Sequence, residues 1–154
     1  MVLALTSPDF NPGETIPKRF TCDGDDVSPA LRWIGVPDET KELLIVCDDP
    51  DAPGGTFHHW AAWGIIPDGG FLRSGFGAEL LEPGFHQAMN DFNRPGYGGP
   101  CPPKGDKPHN YHFRLSALSE RISAEPTATC VEIIELAQPH VIEFTELVGL
   151  YGRD

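Results

Sequence analysis

The chain has no apolar run near the roughly 20 residues that a bilayer-spanning helix needs, and the apolar opening of MVLALTSPDF ends after five residues with no basic start. Neither a spanning segment nor a secretory signal is therefore expected, and a soluble, cytoplasmic protein is. Positive charge is scarce: 11 Lys and Arg stand against 23 Asp and Glu, a net −12. A field of that sign repels nucleic acid and anionic membrane surfaces, but leaves room for a small anion held by a local site. Cysteine is sparse as well. Cys22, Cys47, Cys101 and Cys130 form no CxxC pair, and reduced thiols are the expectation in a cytosolic chain. No His-x-x-x-His or Cys/His ligand spacing appears, so neither a metal nor another cofactor is expected. Repeats and long Ser-rich or charge-block linkers are also missing, which points to one domain over residues 1–154.

What the chain has in quantity is turn residues. Its 17 glycines and 16 prolines are roughly a fifth of its length, below the level of low-complexity disorder. They punctuate apolar runs, the mark of a loop-rich, mainly β domain. VLALTS reads as a first strand and Leu31 to Trp33 as a brief one. KELLIVCDD reads as a buried strand closed by the turn DPDAPGG, and TFHHWAAWGII as a central strand. Residues 67–100 read as irregular, with one helical turn over GAELLE. NYHFRLSAL alternates, placing Tyr111, Phe113, Leu115 and Ala117 on one face and His112, Arg114 and Ser116 on the other. TCVEIIELAQ reads as a helix with Thr129 as N-cap and Glu132 at capping-box spacing. Pro139 should end or bend it, with HVIEF as a second short helix and ELVGLYGR as a last strand. Strands followed by late helices suggest antiparallel sheets with helices packed against them.

Three groups bear chemistry. CDDPDAP ends a buried strand with Asp48, Asp49 and Asp51. FHHW sets His58 and His59 side by side, so a regular strand sends them to opposite faces. The third group is GGPCPPKGDKPHNYHF, where His109 and Tyr111 are two residues apart and share a face of any strand that has begun. A pocket of Asp49, His59, His109 and Tyr111 would offer imidazole and phenol donors to phosphate or carboxylate oxygens, with a carboxylate to fix one ring's tautomer. The Gly/Pro loop would add stiffness and backbone donors. Between Asp91 and Arg114 four cations (Arg94, Lys104, Lys107, Arg114) outnumber two carboxylates. Each group also has a plainer reading: DPDAP is a turn sequence, and His58 reads as a core histidine bonded to backbone. Cys101 is an incidental or structural thiol sooner than a nucleophile, and Trp33, Trp60 and Trp63 are core.

Taken in order, DPDAP, HHW and GGPCPPKGDKPHNYHF resemble the phosphatidylethanolamine-binding protein family, also called the Raf kinase inhibitor protein family, and its short bacterial and archaeal branch most of all. The likeness runs from PKRFTCDGDDVSPALRW to ELVGLYGR. It implies a β-sandwich of two antiparallel sheets with a few peripheral helices, and a pocket at one end that binds phosphate-type anions. Its pocket residues fall on Asp49, His59, His109 and Tyr111, its Pro-Pro on Pro102 and Pro103, and Cys101 takes a position at the pocket mouth. Where the family carries arginine this chain has Asn110, which should weaken any bracing or anion steering. The C-terminal helix of longer relatives has no counterpart, so animal-type kinase inhibition is not carried over. The leading expectation is a non-enzymatic binding protein for a small anionic group, such as phosphate, a lipid headgroup or a phosphorylated partner. The alternatives are a regulatory protein acting on a kinase or other partner and, behind it, a hydrolase or metal-dependent enzyme using Asp49, Asp51 and His59. Exposed aromatics among Phe71, Phe76 and Phe85, together with the resemblance, suggest a homodimer.

Overall fold

The structure, a computed structural model, describes residues 2–75 and 85–154. The helical turn expected over 77–82 and Phe76 lie outside the described residues. Among the described residues, eight strands form two antiparallel sheets. The smaller has the order β1 (Ala4–Thr6), β2 (Leu31–Ile34), β5 (Phe71–Leu72). The larger runs β6 (His86–Gln87), β4 (Phe57–Ile65), β3 (Glu42–Asp49), β7 (His109–Leu118), β8 (Val141–Tyr151). One helix, α1 (Cys130–Ala137), precedes β8. The expected architecture is therefore present: mainly β, two antiparallel sheets, a helix near the C-terminus.

The layers follow from the strand patterns. Leu5, Leu31, Trp33 and Leu72 of the small sheet meet Leu43, Ile45, Cys47, Trp60, Phe113, Leu115 and Leu147 of the large one in a single cluster. On the far side of the large sheet, Leu44, Val46, Ala61 and Trp63 pack against Cys130, Ile133 and Ala137 of α1. β3 is covered on both faces, which is why it reads as an unbroken apolar run. β7 is covered fully on one face only, so its sequence alternates. The Thr129 hydroxyl accepts from the Glu132 N–H at 3.3 Å while the Glu132 carboxylate accepts from the Thr129 N–H at 3.1 Å, closing the capping box.

Two expectations are corrected. HVIEF is not a second helix: a 3-10 turn over Gln138–His140 ends the helical path and β8 begins at Val141. Pro139 has no N–H to extend the helix, and the open edge of β7 takes up the β-branched Val141 and Thr145. Residues 67–100 are not wholly irregular, since β5 and β6 lie there; at two residues each they are too short to show a period.

Candidate ligand pocket

Antiparallel pairing brings the end of β3 and the starts of β4 and β7 to one end of the large sheet, with Asp49 opposite Phe57 and Asp48 opposite His112. There a cavity of 210 Å³ is lined by Asp49, His59, Cys101, Pro103, His109 and Tyr111, together with Ala52, Pro53, Phe57, Phe92 and Pro102. All six residues singled out from sequence thus surround one cavity. A feature of β4 that sequence reasoning missed makes this possible. Cys47 pairs with Trp60 and Asp48 with His58, leaving His59 as an extra residue, a β-bulge. The bulge turns His59 inward beside Phe57 (ring centroids 4.8 Å apart) while Trp60 stays in the core. A regular strand could not have placed both on that side. His58 falls on the outer face, where its Nδ1 lies 3.2 Å from Asp91 Oδ2; it is not a core histidine bonded to backbone.

The two imidazoles of the cavity are in opposite states. His109 is buried between two carboxylates, Nδ1 2.7 Å from Asp49 Oδ2 and Nε2 3.1 Å from Asp106 Oδ2. Carboxylates only accept, so both nitrogens donate, which requires the imidazolium. Burial opposes that charge, but the hydrogen bonds to Asp49 and Asp106 outweigh it and raise the pKa above its ordinary 6.5. Asp49 is held in turn: its Oδ1 accepts from the Asp51 N–H at 2.8 Å. His59 Nδ1 lies 2.6 Å from the Gly98 carbonyl, so Nδ1 carries a proton and donates. Burial lowers the His59 pKa against the smaller pull of that bond and of Asp49. A neutral His59 then carries its lone pair on Nε2. Between them, Tyr111 is fully buried, and its hydroxyl has no hydrogen-bond partner among the described residues. Burial, then the adjacent Asp49 carboxylate, push its pKa far above 10, so it remains a donor.

The glycine- and proline-rich stretch forms the rim, and its glycines serve the fold. A Cβ on Gly99 would lie 2.3 Å from the Phe20 carbonyl oxygen, and one on Gly98 2.4 Å from the Phe92 ring. Their N–H groups are used internally, Gly98 to His59 O at 3.0 Å and Gly99 to Asp26 Oδ1 at 2.7 Å. The expectation that glycine N–H groups here would face a ligand is corrected for these two. A disulfide joins Cys22 to Cys101, so the reduced-thiol expectation fails for that pair; Cys47 and Cys130 are free and buried. The partners are 79 residues apart in sequence, a pairing that spacing cannot reveal. Around the bond, Cys22 N–H donates to Pro100 O at 3.1 Å, Arg153 Nε to Pro102 O at 2.9 Å, and Arg94 to Asp26 at 2.8 Å.

Two further expectations change here. Two of the four cations are turned from the cavity: Arg94 pairs with Asp26, and Arg114 points to the other side of β7, 3.8 Å from both Asp48 and Glu146; Lys104 and Lys107 are exposed and do not line it. Asn110 is not among the residues that line the cavity. Its backbone N–H and side-chain amide both donate to Asp51 Oδ2, at 2.8 and 3.0 Å, and these bonds lower the Asp51 pKa. Asn110 thereby braces the DPDAP turn that holds Asp49. Of the three phenylalanines considered for a dimer face, Phe71 is exposed and Phe85 packs against the main core. Among the described residues no group of His, Cys, Asp and Glu has the geometry to hold a metal ion, and no helix is long and apolar enough to cross a membrane.

A β-sandwich whose strand ends enclose a small cavity, apolar over most of its wall and carrying a few buried polar side chains, defines a class of binding fold. Residues 6–152 match the family described as phosphatidylethanolamine-binding protein, and the chain belongs to that family. It is similar to a UPF0098 protein of Pyrococcus abyssi, 45% identical over 98% of this chain and 86% of that one. A UPF0098 protein of Methanothermobacter thermautotrophicus is 44% identical, covering 97% and 98%. Among solved structures, YbcL of Escherichia coli, described as a new member of the mammalian PEBP family, superposes with a TM-score of 0.94 at 32% identity over the whole of both chains. These are relatives of the bacterial and archaeal branch.

Proposed function

We propose that this protein is a non-enzymatic binding protein whose cavity takes a phosphate-type anionic group, borne by a small molecule, a lipid headgroup or a phosphorylated partner. The observation that carries this reading is the Tyr111 hydroxyl, buried and without a hydrogen-bond partner among the described residues, on a ring set between two imidazoles. Tyr111 O–H donates to a phosphate oxygen, neutral His59 Nε2 accepts from a P–OH, and the His109 imidazolium supplies the positive charge. The membership of a family named for binding supports a binding role over catalysis. The bond between Cys22 and Cys101 bears on location: a reducing cytoplasm ordinarily holds such thiols reduced. Trapping cellular thiols before lysis tests the cytoplasmic expectation, which free Cys22 and Cys101 support and an intact bond opposes.

The test of the binding role is an NMR titration of the imidazole signals with inorganic phosphate at pH 6 and pH 7.5. Phosphate-dependent shifts at His59 and His109, with His112 unmoved, are expected. Silence at both pocket rings at both pH values overturns the reading. Light scattering tests the homodimer, since a mass near the 16.8 kDa of one chain excludes it.

A further inference from the structure

The His109 side chain has both ring nitrogens engaged, but its two partners are unlike. Asp49 is a buried carboxylate fixed at the end of β3, with its other oxygen held by the Asp51 N–H. Asp106 sits in an exposed segment, Lys104–Pro108, with 42% of its side chain exposed. The backbone around it is anchored independently, since the Gly105 N–H donates to Arg153 O at 2.9 Å. Rotation of the Asp106 side chain into solvent therefore frees His109 Nε2 without moving the rim.

From this arrangement we infer that Asp106 is a specificity-determining residue: its carboxylate occupies the His109 Nε2 donor as a built-in competitor, which admits phosphate-type anions and rejects simple carboxylates. The inference rests on the anion-binding reading above and says which anions pass. A free monocarboxylate offers His109 the group that Asp106 already provides. The tethered carboxylate has the advantage of effective concentration, while the free one also loses translational freedom. A phosphate-type anion brings more. With three or four oxygens it reaches His109 Nε2 and the Tyr111 hydroxyl together, and a P–OH proton suits the lone pair of neutral His59. Asp106 also repels the incoming anion, so its removal should help every anion, and carboxylates most.

The experiment compares wild type, Asp106→Ala and Asp25→Asn by NMR of the pocket imidazoles, titrated with inorganic phosphate and with acetate. Asp25 is an exposed carboxylate whose side chain is 71% accessible; its variant controls for the loss of one negative charge. Asp106→Ala should bind phosphate about fivefold more tightly and should bind acetate, to which wild type and Asp25→Asn stay silent. Equal phosphate affinity in all three proteins overturns the inference, as does wild type binding acetate as well as Asp106→Ala does. The two readings fail separately. Silence to phosphate in every protein overturns the phosphate pocket and the inference with it, whereas phosphate binding that Asp106→Ala leaves unchanged overturns the inference alone. A variant that binds phosphate while wild type does not shows complete blockade and supports the inference. The ligand-free spectrum adds an independent check, because loss of one carboxylate neighbour should lower the His109 pKa; an unchanged value would mean that Asp106 does not hold His109 in solution.

Discussion

The two faces of the large sheet at its pocket end are built from the same residue types and do opposite things. Asp49, His59 and His109 face inward; Asp48, His58 and His112 face outward, each within three residues of its inner counterpart. Inside, Asp49, His59 Nδ1 and both nitrogens of His109 have defined partners, and exposure is 3–4% for all three residues. Outside, the pairs are half-exposed: His58 with Asp91 at 3.2 Å, His112 with Glu146 at 3.3 Å, Arg114 shared between Asp48 and Glu146. Residue identity therefore says little about role here. Burial and the fixed geometry around the cavity separate a tuned site from a solvated one.

The largest effect separating the two faces should come from the disulfide, because the rim is covalently bound and the outer face is not. Closing a loop of 79 residues removes entropy from the unfolded chain worth about 4 kcal/mol. The Cys22→Ser/Cys101→Ser protein should lose about that much in a denaturant titration. The Arg153, Asp26 and Pro100 bonds around the rim should still hold the fold, with the pocket histidine signals perturbed and those of His58 and His112 unchanged. Equal perturbation on both faces would mean that the bond supports the sheet as a whole and not the rim.

The next contrast is between adjacent aspartates. Asp49→Ala leaves the His109 imidazolium buried with only an exposed partner, and breaking a buried pair in this way costs about 3 kcal/mol. Asp48→Ala removes a carboxylate whose nearest cation is 3.8 Å away and part-exposed; burial already pushes the Asp48 carboxyl up, against the weaker pull of Arg114. Its loss should cost about 1 kcal/mol or less. Thermal melts of the two variants check this, and equal losses would erase the distinction drawn between the faces.

Much of this was legible in the chain. Alternation from Tyr111 to Ala117 assigned the faces of β7, all four residues proving fully buried, and the Thr129 and Glu132 spacing marked the start of α1. The six candidate residues could be gathered because three short motifs occur in a set order. What escaped was tertiary in origin. The bulge at His59 depends on register with β3, the Cys22–Cys101 bond on a meeting of distant loops, and Asp106 on a turn that points it back at His109. The part Asn110 plays escaped too, because its bonds to Asp51 cross from β7 to the DPDAP turn. The cation count between Asp91 and Arg114 misled because charge along a sequence is not charge around a cavity: Arg94 and Arg114 are held by carboxylates elsewhere.

The smallest effect is the most specific to the inner face, because its two histidines should give stability opposite pH dependences. The His59 pKa is lowered in the fold by burial, so below about 6.5, the ordinary value, the unfolded chain takes up the proton first. His59 therefore costs stability as pH falls through and below that value. The His109 pKa is raised because its carboxylate bonds overcome burial. Its contribution is complete below about 6.5 and is lost as pH rises through the higher folded value. Removing each in turn, as His59→Gln and His109→Gln, should change the stability profile on opposite sides of that pH. The first should flatten the acid limb, and the second should remove the decline on the alkaline side. Urea midpoints from pH 5 to pH 8.5 measure this. If His109→Gln left the alkaline limb as it is in wild type, the bonds to Asp49 and Asp106 would not raise the His109 affinity for a proton in solution.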